Sequence, residues 1–115
     1  MTPAVIYKIC TAEEWAAAET AGRFTGSPVD VADGFIHFST AEQAEETARR
    51  HFAGQTGLVL VSVDAKVIAD KLTWEPSRGG DLFPHLYTPL DLDVVTSVRP
   101  LSLGDDGAHV FPELS

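Results

Sequence analysis

Side chains able to take part in acid–base or binding chemistry are concentrated between Thr73 and Tyr87. In chain order they are Glu75, Arg78, Asp81, His85 and Tyr87. Two prolines and two glycines interrupt the same stretch, so it is predicted to be a long loop rather than one regular element. Apolar residues such as Trp74 and Phe83 would anchor that loop, and ordered long loops in small domains are often functional. The alternative is an ordinary surface connection that carries a salt bridge.

A second polar group occurs in the sequence F-I-H-F-S, from Phe35 to Ser39. Strand periodicity places Phe35, His37 and Ser39 on one face and Ile36 and Phe38 on the other. An imidazole and a hydroxyl on one face of a short strand point to a site. The alternatives are a core histidine with satisfied hydrogen bonds and a hydroxyl bonded to local backbone. We expect the side chains of both polar groups to line one cleft, namely His37, Ser39, Glu75, Arg78 and His85.

A metal centre is one chemistry that these residue types allow. His37 and His85, with Asp81 or Glu75, could supply a 2-His-1-carboxylate ligand set. The sequence contains no H-x-H or H-E-x-x-H motif and no pair of cysteines, so nothing in its spacing is typical of a metal site. We therefore expect no tightly bound transition metal.

Anion binding is a second possibility, and hydrolysis by a serine triad is a weaker one. Ser39 is not part of the G-x-S-x-G turn that presents the nucleophile in α/β-hydrolases. The glycine patterns of phosphate-binding loops are also absent. Arg78 followed by Gly79 could still hold an anion through guanidinium hydrogen bonds and close backbone approach.

The composition limits the partners of the chain. Its 115 residues include 17 acidic and 8 basic ones, with a formal net charge of −9. Because binding to duplex nucleic acid or anionic membranes depends on clustered Lys and Arg, neither is expected, whereas a small anionic ligand remains possible. A single cysteine, Cys10, excludes an internal disulfide and is predicted to be a core residue. The absence of a leader or long apolar segment predicts a soluble cytoplasmic protein with one domain, residues 1–115.

Two helices are predicted in the N-terminal half, after a first strand over Ala4–Cys10. T-A-E-E from Thr11 and T-A-E-Q from Thr40 are both capping-box patterns. The first helix should reach Ala21, bury Trp15 and Ala18, and stop at Gly22, while Gly22–Asp33 should be a loop. The second should be closed by Gly54, and its apolar stripe comprises Ala41, Ala44, Ala48 and Phe52. His51 near its end is explained by the helix dipole.

The C-terminal half is predicted to be rich in strands. Leu58–Val63 should be a central strand, Asp64 should cap a turn, and Leu72–Glu75 should be a short strand. Val94–Val98 should form another strand ending at Pro100. Two further segments, Leu101–Leu103 and Ala108–Phe111, should form a terminal hairpin around G-D-D-G. These elements predict an α+β fold with a split or bent mixed β-sheet.

Two long blocks resemble the signature of an uncharacterised family of small bacterial proteins, a domain of unknown function. They are G-F-I-H-F-S-T-A-E-Q, from Gly34 to Gln43, and W-E-P-S-R-G-G-D-L-F-P-H-L-Y, from Trp74 to Tyr87. The first strand, from Ile6 to Ile9, is similar as well, so the resemblance covers nearly the whole chain. It implies an ADP-ribosyltransferase-like fold, in which enzymes bind NAD in the cleft of a split β-sheet.

The resemblance also implies roles for individual residues. The segment from Gly34 to Ser39 is similar to a superfamily strand whose aromatic residue stacks on nicotinamide, and His37 stands near that position. Glu75 would be the acid that contacts the ribose and stabilises an oxocarbenium-like state. An NAD-utilising transferase would use Glu75 and His37 in catalysis. The residues that would bind NAD are Ser39, Arg78, Gly79, His85 and Tyr87. The alternative is a cleft of Arg78, His37 and His85 that binds a small anion, without this catalysis.

Overall fold

The computed structural model describes residues 3–76 and 80–114. Three helices and nine strands are found there, in the order β1 (Val5–Thr11), α1 (Ala12–Ala21), β2 (Arg23–Phe24), α2 (Pro28–Asp33), β3 (Ile36–His37), α3 (Ala41–His51), β4 (Leu58–Asp64), β5 (Leu72–Pro76), β6 (Leu82–Leu86), β7 (Leu90–Asp91), β8 (Val95–Leu103) and β9 (His109–Val110). The predicted α+β class is confirmed. None of the described helices is long and apolar enough to cross a membrane.

The strands form three sheets, with orders β1-β4-β8-β9, β3-β6-β5 and β2-β7. Every strand pair in the described residues is antiparallel, so the prediction of a mixed sheet was wrong. The two larger sheets meet at Tyr7 and Ser39, whose backbone N–H and C=O groups exchange two hydrogen bonds of 2.8 Å. The sheet therefore curls, and β3 lies at the junction.

Alternation along β1 and β4 divides the core into two clusters, one on each face. Ile6, Cys10, Val61 and Val63 belong to the first cluster, which also contains Trp15 of α1. The second cluster packs under α3 and contains Tyr7, Ile9, Leu58, Leu60, Ala48 and Leu101. As predicted, β4 is the central strand, since it pairs with β1 on one side and with β8 on the other.

Both predicted capping boxes are present. Thr11 Oγ1 accepts from the Glu14 backbone N–H at 3.0 Å, and Glu14 Oε1 accepts from the Thr11 N–H at 2.9 Å. Thr40 and Gln43 make the same reciprocal pair at the start of α3. Gly22 ends α1 with φ of 86°, as the sequence predicts, because a residue without Cβ adopts this left-handed conformation easily.

The predicted loop over Gly22–Asp33 was wrong, since this segment contains β2 and α2. Gly, Pro and Asp suggested a break, but Pro28 occupies the first turn of α2, where a missing N–H costs nothing. Gly26 precedes the helix, and a Cβ built on it would lie 2.8 Å from the Cβ of Asp30. Only glycine allows the chain to pass this close to Asp30.

The prediction of a long loop from Thr73 to Tyr87 was also wrong, because β5 and β6 form an antiparallel hairpin with Trp74 opposite Pro84. Pro84 is tolerated in the middle strand for a geometric reason. Its carbonyl accepts from Phe38 N–H at 3.0 Å, so its nitrogen also faces that side, just beyond the end of β3. The missing N–H therefore removes no hydrogen bond between β5 and β6.

Three smaller boundaries differ from prediction. The strand from Phe35 to Ser39 is regular only over β3, and Ser39 turns to pair with β1. Helix α3 ends at His51 with Phe52 as its C-cap, and Gly54 lies beyond it. Strand β8 continues through Pro100 to Leu103. Pairing with β9 begins only at Ser102, so β9 requires no hydrogen bond from the N–H that Pro100 lacks. The terminal hairpin after Leu101 is confirmed.

Candidate functional site

The candidate site lies on the face of the β3-β6-β5 sheet that points away from the first core cluster. Ile36, Leu72, Trp74 and Leu86 of this sheet pack in or against that cluster. Alternate residues therefore face the other way, and the register places His37 of β3 directly opposite His85 of β6. The sequence prediction that His37 lies on the face opposite Ile36 is confirmed by this packing.

Glu75, His85 and Tyr87 form a hydrogen-bonded group across the hairpin. Glu75 Oε1 lies 2.7 Å from His85 Nδ1 and accepts a hydrogen bond of 2.7 Å from Tyr87 Oη. The hydrogen bonds from Tyr87 and then His85 lower the pKa of Glu75, so its ionised form is favoured. The bond to Glu75 raises the pKa of Tyr87, which keeps the phenol protonated. The result is a carboxylate fixed at one of its oxygens.

Phe35 holds the rings of this group together. Its ring stacks on His85 with centroids 4.1 Å apart and contacts Tyr87 at 5.1 Å. It also lies 4.5 Å from the ring of His37, and the two imidazoles are 5.4 Å apart in an edge-on arrangement. Sequence reasoning assigned no role to Phe35, although its place two residues before His37 on the same strand face was visible.

Asp30 is a functional candidate that sequence reasoning missed. Its side chain is 1% exposed and lies 2.7 Å from Lys8 Nζ, which is also buried. Its Oδ2 accepts from the backbone N–H and the hydroxyl of Ser27. Its Oδ1 accepts from the backbone N–H of His37 at 3.1 Å and lies 2.6 Å from His37 Nδ1. One carboxylate thus joins β1, α2 and β3.

The ionisation of Asp30 results from opposing effects. Burial alone would raise the pKa of this carboxyl group, but the hydrogen bond to His37, the charge of Lys8 and the bonds from Lys8 and Ser27 outweigh it and hold the pKa well below its usual range. The sequence did contain a signal for a buried acid. Lys8 lies between Ile6 and Cys10 on the same face of β1, and both of these residues belong to the core. A lysine at such a position needs a buried acid.

Burial raises the pKa of the Cys10 thiol to about 12, which agrees with the predicted core role of this residue.

His37 faces a second carboxylate on its other ring nitrogen. Its Nε2 lies 2.9 Å from Oδ2 of Asp33, at the end of α2. The Asp33 side chain is 48% exposed and that of His37 is 34% exposed, so this contact is at the surface. His37 therefore connects the buried Asp30 to a solvent-accessible acid.

A cavity of about 440 Å³ opens beside the two imidazoles. Most of its wall is apolar or aromatic, and the polar groups come from β1, α2, β3, α3 and β6. The residues around it are Tyr7, Lys8, Ile9, Ser27, Val29, Asp33, His37, Phe38, Ser39, Thr47, His51, Phe52, Phe83 and His85. A mostly apolar cavity of this size with a few converging polar groups suits a small organic ligand. His51, which the sequence suggested only as a helix-dipole contact, also borders it.

The structure brings several of the predicted site residues together. His37, Ser39 and His85 line the cavity, and Ser39 Oγ lies 3.0 Å from Thr47 Oγ1. Glu75 reaches the same region through its bond to His85, with Tyr87 beside it. Arg78 and Gly79 lie outside the described residues, so the predicted shared cleft is tested only for the other members.

The described residues do not assemble the ligand set considered for a metal. No group of three or more His, Cys, Asp or Glu residues within ranges 3–76 and 80–114 is placed to hold a metal ion. Asp81 lies apart from the imidazoles, in a surface depression beside α3 with Glu42 and Glu46. Asp30 and Glu75 instead contact the Nδ1 atoms of His37 and His85, and Asp33 contacts Nε2 of His37.

Comparisons with known proteins agree with the two signature blocks. Residues 9–98 match a family described as a protein of unknown function, DUF952. The crystal structure of protein CC0527 from Caulobacter crescentus has 53% sequence identity and a TM-score of 0.88, over 92% of this chain and 93% of that one. The solution NMR structure of CC0527 has 53% identity and a TM-score of 0.82, over 91% and 90% of the two chains. No curated protein matches. The chain belongs to the DUF952 family of proteins of unknown function.

Proposed function

We propose that the chain is an NAD-utilising ADP-ribosyl or related glycosyl-transfer enzyme, with Glu75 as the carboxylate that acts on the ribose. The observation that carries this proposal is the state of Glu75. Its Oε1 is held by His85 and Tyr87, while Oε2 makes no hydrogen bond to the rest of the described chain. A carboxylate that is fixed and ionised, and whose second oxygen is unbonded within the described residues, can stabilise positive charge as the glycosidic bond breaks.

The surroundings of Glu75 suit the rest of such a ligand. Phe35, His85 and Tyr87 form an aromatic group beside the carboxylate, and in this proposal a nicotinamide or an adenine stacks on the exposed ring of Tyr87. On the other side of His85 lies the cavity, to which His37 and Ser39 also belong. NAD itself comes from the resemblance to the ADP-ribosyltransferase-like superfamily. In this proposal His37 contacts the nicotinamide or its ribose, and Arg78 with Gly79 holds the pyrophosphate.

Binding of a small anion without this catalysis is the second candidate. It is favoured by the position of three imidazoles, those of His37, His51 and His85, around one cavity. The charges weigh against it, because Lys8 and His37 already face the carboxylates of Asp30 and Asp33. Little uncompensated positive charge is left in the described part of the cavity for an anion.

Nicotinamide release from NAD tests the proposal. Glu75→Gln keeps the shape of the side chain and removes its charge, so turnover should fall by roughly 10²-fold or more while NAD affinity changes little. Glu45→Gln, on the exposed surface of α3, is the matched control and should keep the wild-type rate. Arg78→Ala should weaken NAD binding instead.

The outcomes separate the two candidates. Wild-type protein that neither binds NAD nor releases nicotinamide would overturn the proposal and leave anion binding as the surviving function. Cleavage at a rate unchanged by Glu75→Gln would show that another group stabilises the ribose.

A further inference from the structure

We infer that His37 is a proton-transfer group of the cavity, that its Nε2 is the nitrogen that gains and loses the proton, and that Asp30 is the positioning residue that fixes this choice. The inference concerns the protonation of a named nitrogen, which the proposed function does not assign. The use of His37 Nε2 in catalysis, as the base that activates an acceptor hydroxyl, rests on the proposed function.

The first step is the hydrogen bonding of Asp30. This carboxylate accepts from Lys8, from Ser27 twice and from His37 twice, and it is 1% exposed. With its pKa held far below the usual range, it has no proton to donate. The contact of 2.6 Å to His37 Nδ1 therefore requires the proton to be on Nδ1. This proton stays in place whichever charge state the imidazole adopts.

The second step is the position of Asp33. Its Oδ2 lies 2.9 Å from His37 Nε2, close enough to pair with a proton on that nitrogen. Because Asp30 holds the Nδ1 proton, a proton that His37 gains or loses is on Nε2, on the side of the exposed Asp33. When Nε2 loses this proton its lone pair is free, and a ligand hydroxyl can take the place of Asp33.

The other groups near His37 leave this assignment intact. Lys8 bonds to Asp30 and does not compete for Nε2. His85, whose ring centroid lies 5.4 Å away, has its own Nδ1 held by Glu75, so the two imidazoles do not share a proton through these nitrogens. His37 and Asp33 both line the cavity, which gives the proton a route between a bound ligand and solvent.

In the proposed transfer, His37 takes one proton from the acceptor. The oxygen of an acceptor hydroxyl, or of water, forms a bond to the anomeric carbon while its proton moves to His37 Nε2. The bond from that carbon to nicotinamide breaks, and the electron pair leaves with the nicotinamide. His37 then passes the proton to Asp33 and on to solvent. The acceptor class implied is a hydroxyl compound, since its proton must be removed as it attacks.

Nitrogen-15 NMR of the imidazoles tests the inference without any ligand. As pH rises, His37 should lose its proton from Nε2 and become the neutral form with hydrogen on Nδ1. His109 is an internal control, because its Nε2 lies 2.8 Å from the Gln55 carbonyl, which requires the opposite tautomer. A neutral His37 with hydrogen on Nε2 would overturn the inference, whether or not the protein acts on NAD.

An activity measurement tests the catalytic use. In His37→Asn the amide nitrogen can replace Nδ1 at Asp30, whereas nothing replaces Nε2. The turnover number for nicotinamide release should fall by at least about 10²-fold, a larger change than in the apparent KM for NAD, which His37 also contacts in the proposed function. His109→Asn is the matched control, and thermal unfolding of both variants verifies the fold. If the wild type releases nicotinamide and His37→Asn keeps a rate within about twofold, the inference is wrong. If the wild type releases none, the proposed function fails and the NMR result alone decides the inference.

Discussion

Among single residues, Asp30 contributes most clearly to both stability and the site. Asp30→Asn would leave Lys8 buried without a counter-charge, so the free energy of unfolding at neutral pH should fall by about 3–5 kcal/mol. Denaturant unfolding of wild type and variant measures this loss. The control is Asp70→Asn, an exposed aspartate for which a change within about 0.5 kcal/mol is expected. A neutral Asp30→Asn result would show that Lys8 finds another partner.

The pH dependence of this effect has a definite sign. The pKa of Asp30 is lowered in the folded state, so its stabilisation is fully present above the ordinary aspartate pKa of about 3.9. It is lost as pH falls below that value toward the folded-state pKa. The difference between wild type and Asp30→Asn should therefore shrink as the solution is acidified below about pH 4. A difference that grows with acidification would contradict the assigned direction.

At the level of elements, the capping box of α1 allows a clean test. Thr11→Ala removes the hydroxyl that accepts from Glu14 N–H, and the free energy of unfolding should fall by about 1 kcal/mol. Thr20→Ala is a matched control in the same helix. Its hydroxyl bonds to the Ala16 carbonyl, which helix geometry already satisfies, so its removal should be neutral or slightly stabilising. Equal losses in the two variants, measured by denaturant unfolding, would rule out a specific cap effect.

The elements also show where sequence reasoning succeeds. Helices α1 and α3 were predicted because their start signals, Thr11 and Thr40, act locally within one turn. Helix α2 and the β5-β6 hairpin were not, because Pro28 in the first turn of α2 and Pro84 in β6 were both read as chain breaks. Asp30 is a helix residue whose buried environment comes from Lys8 on another strand. Pro84 reads as a strand breaker until its position beyond the end of β3 is known.

The sequence predicted some residues of the candidate site and missed others. His37 and His85 were identified from strand periodicity and local composition, and their pairing across β3 and β6 agrees with the expected shared cleft. Asp30 and Phe35 were not identified. Asp30 acts through a buried contact with His37, and Phe35 acts through a ring contact with His85. Helix α2 and the curl of the sheet help to create these contacts, and residue spacing alone does not predict them. The missed residues are those that position the site rather than those with the most reactive side chains.

For the whole molecule, the decisive feature is that β1 and β4 carry both core clusters. Trp15 belongs to the first cluster and Trp74 packs against it, whereas Leu101 lies in the second. Tryptophan fluorescence therefore reports the first cluster directly. If the shared strands make unfolding cooperative, a truncation in the second cluster must also shift the fluorescence transition.

Leu101→Ala tests this coupling. Loss of a leucine that is 2% exposed should lower the free energy of unfolding by about 2–5 kcal/mol. Fluorescence and far-UV circular dichroism should show the same reduced midpoint in denaturant, with an unchanged slope. Val98→Ala, at a position 40% exposed on the same strand, is the control and should move the midpoint far less. An unshifted fluorescence midpoint beside a shifted circular dichroism midpoint would mean that the two clusters unfold separately. The packing on the two faces of β1 and β4 would then not be one cooperative unit.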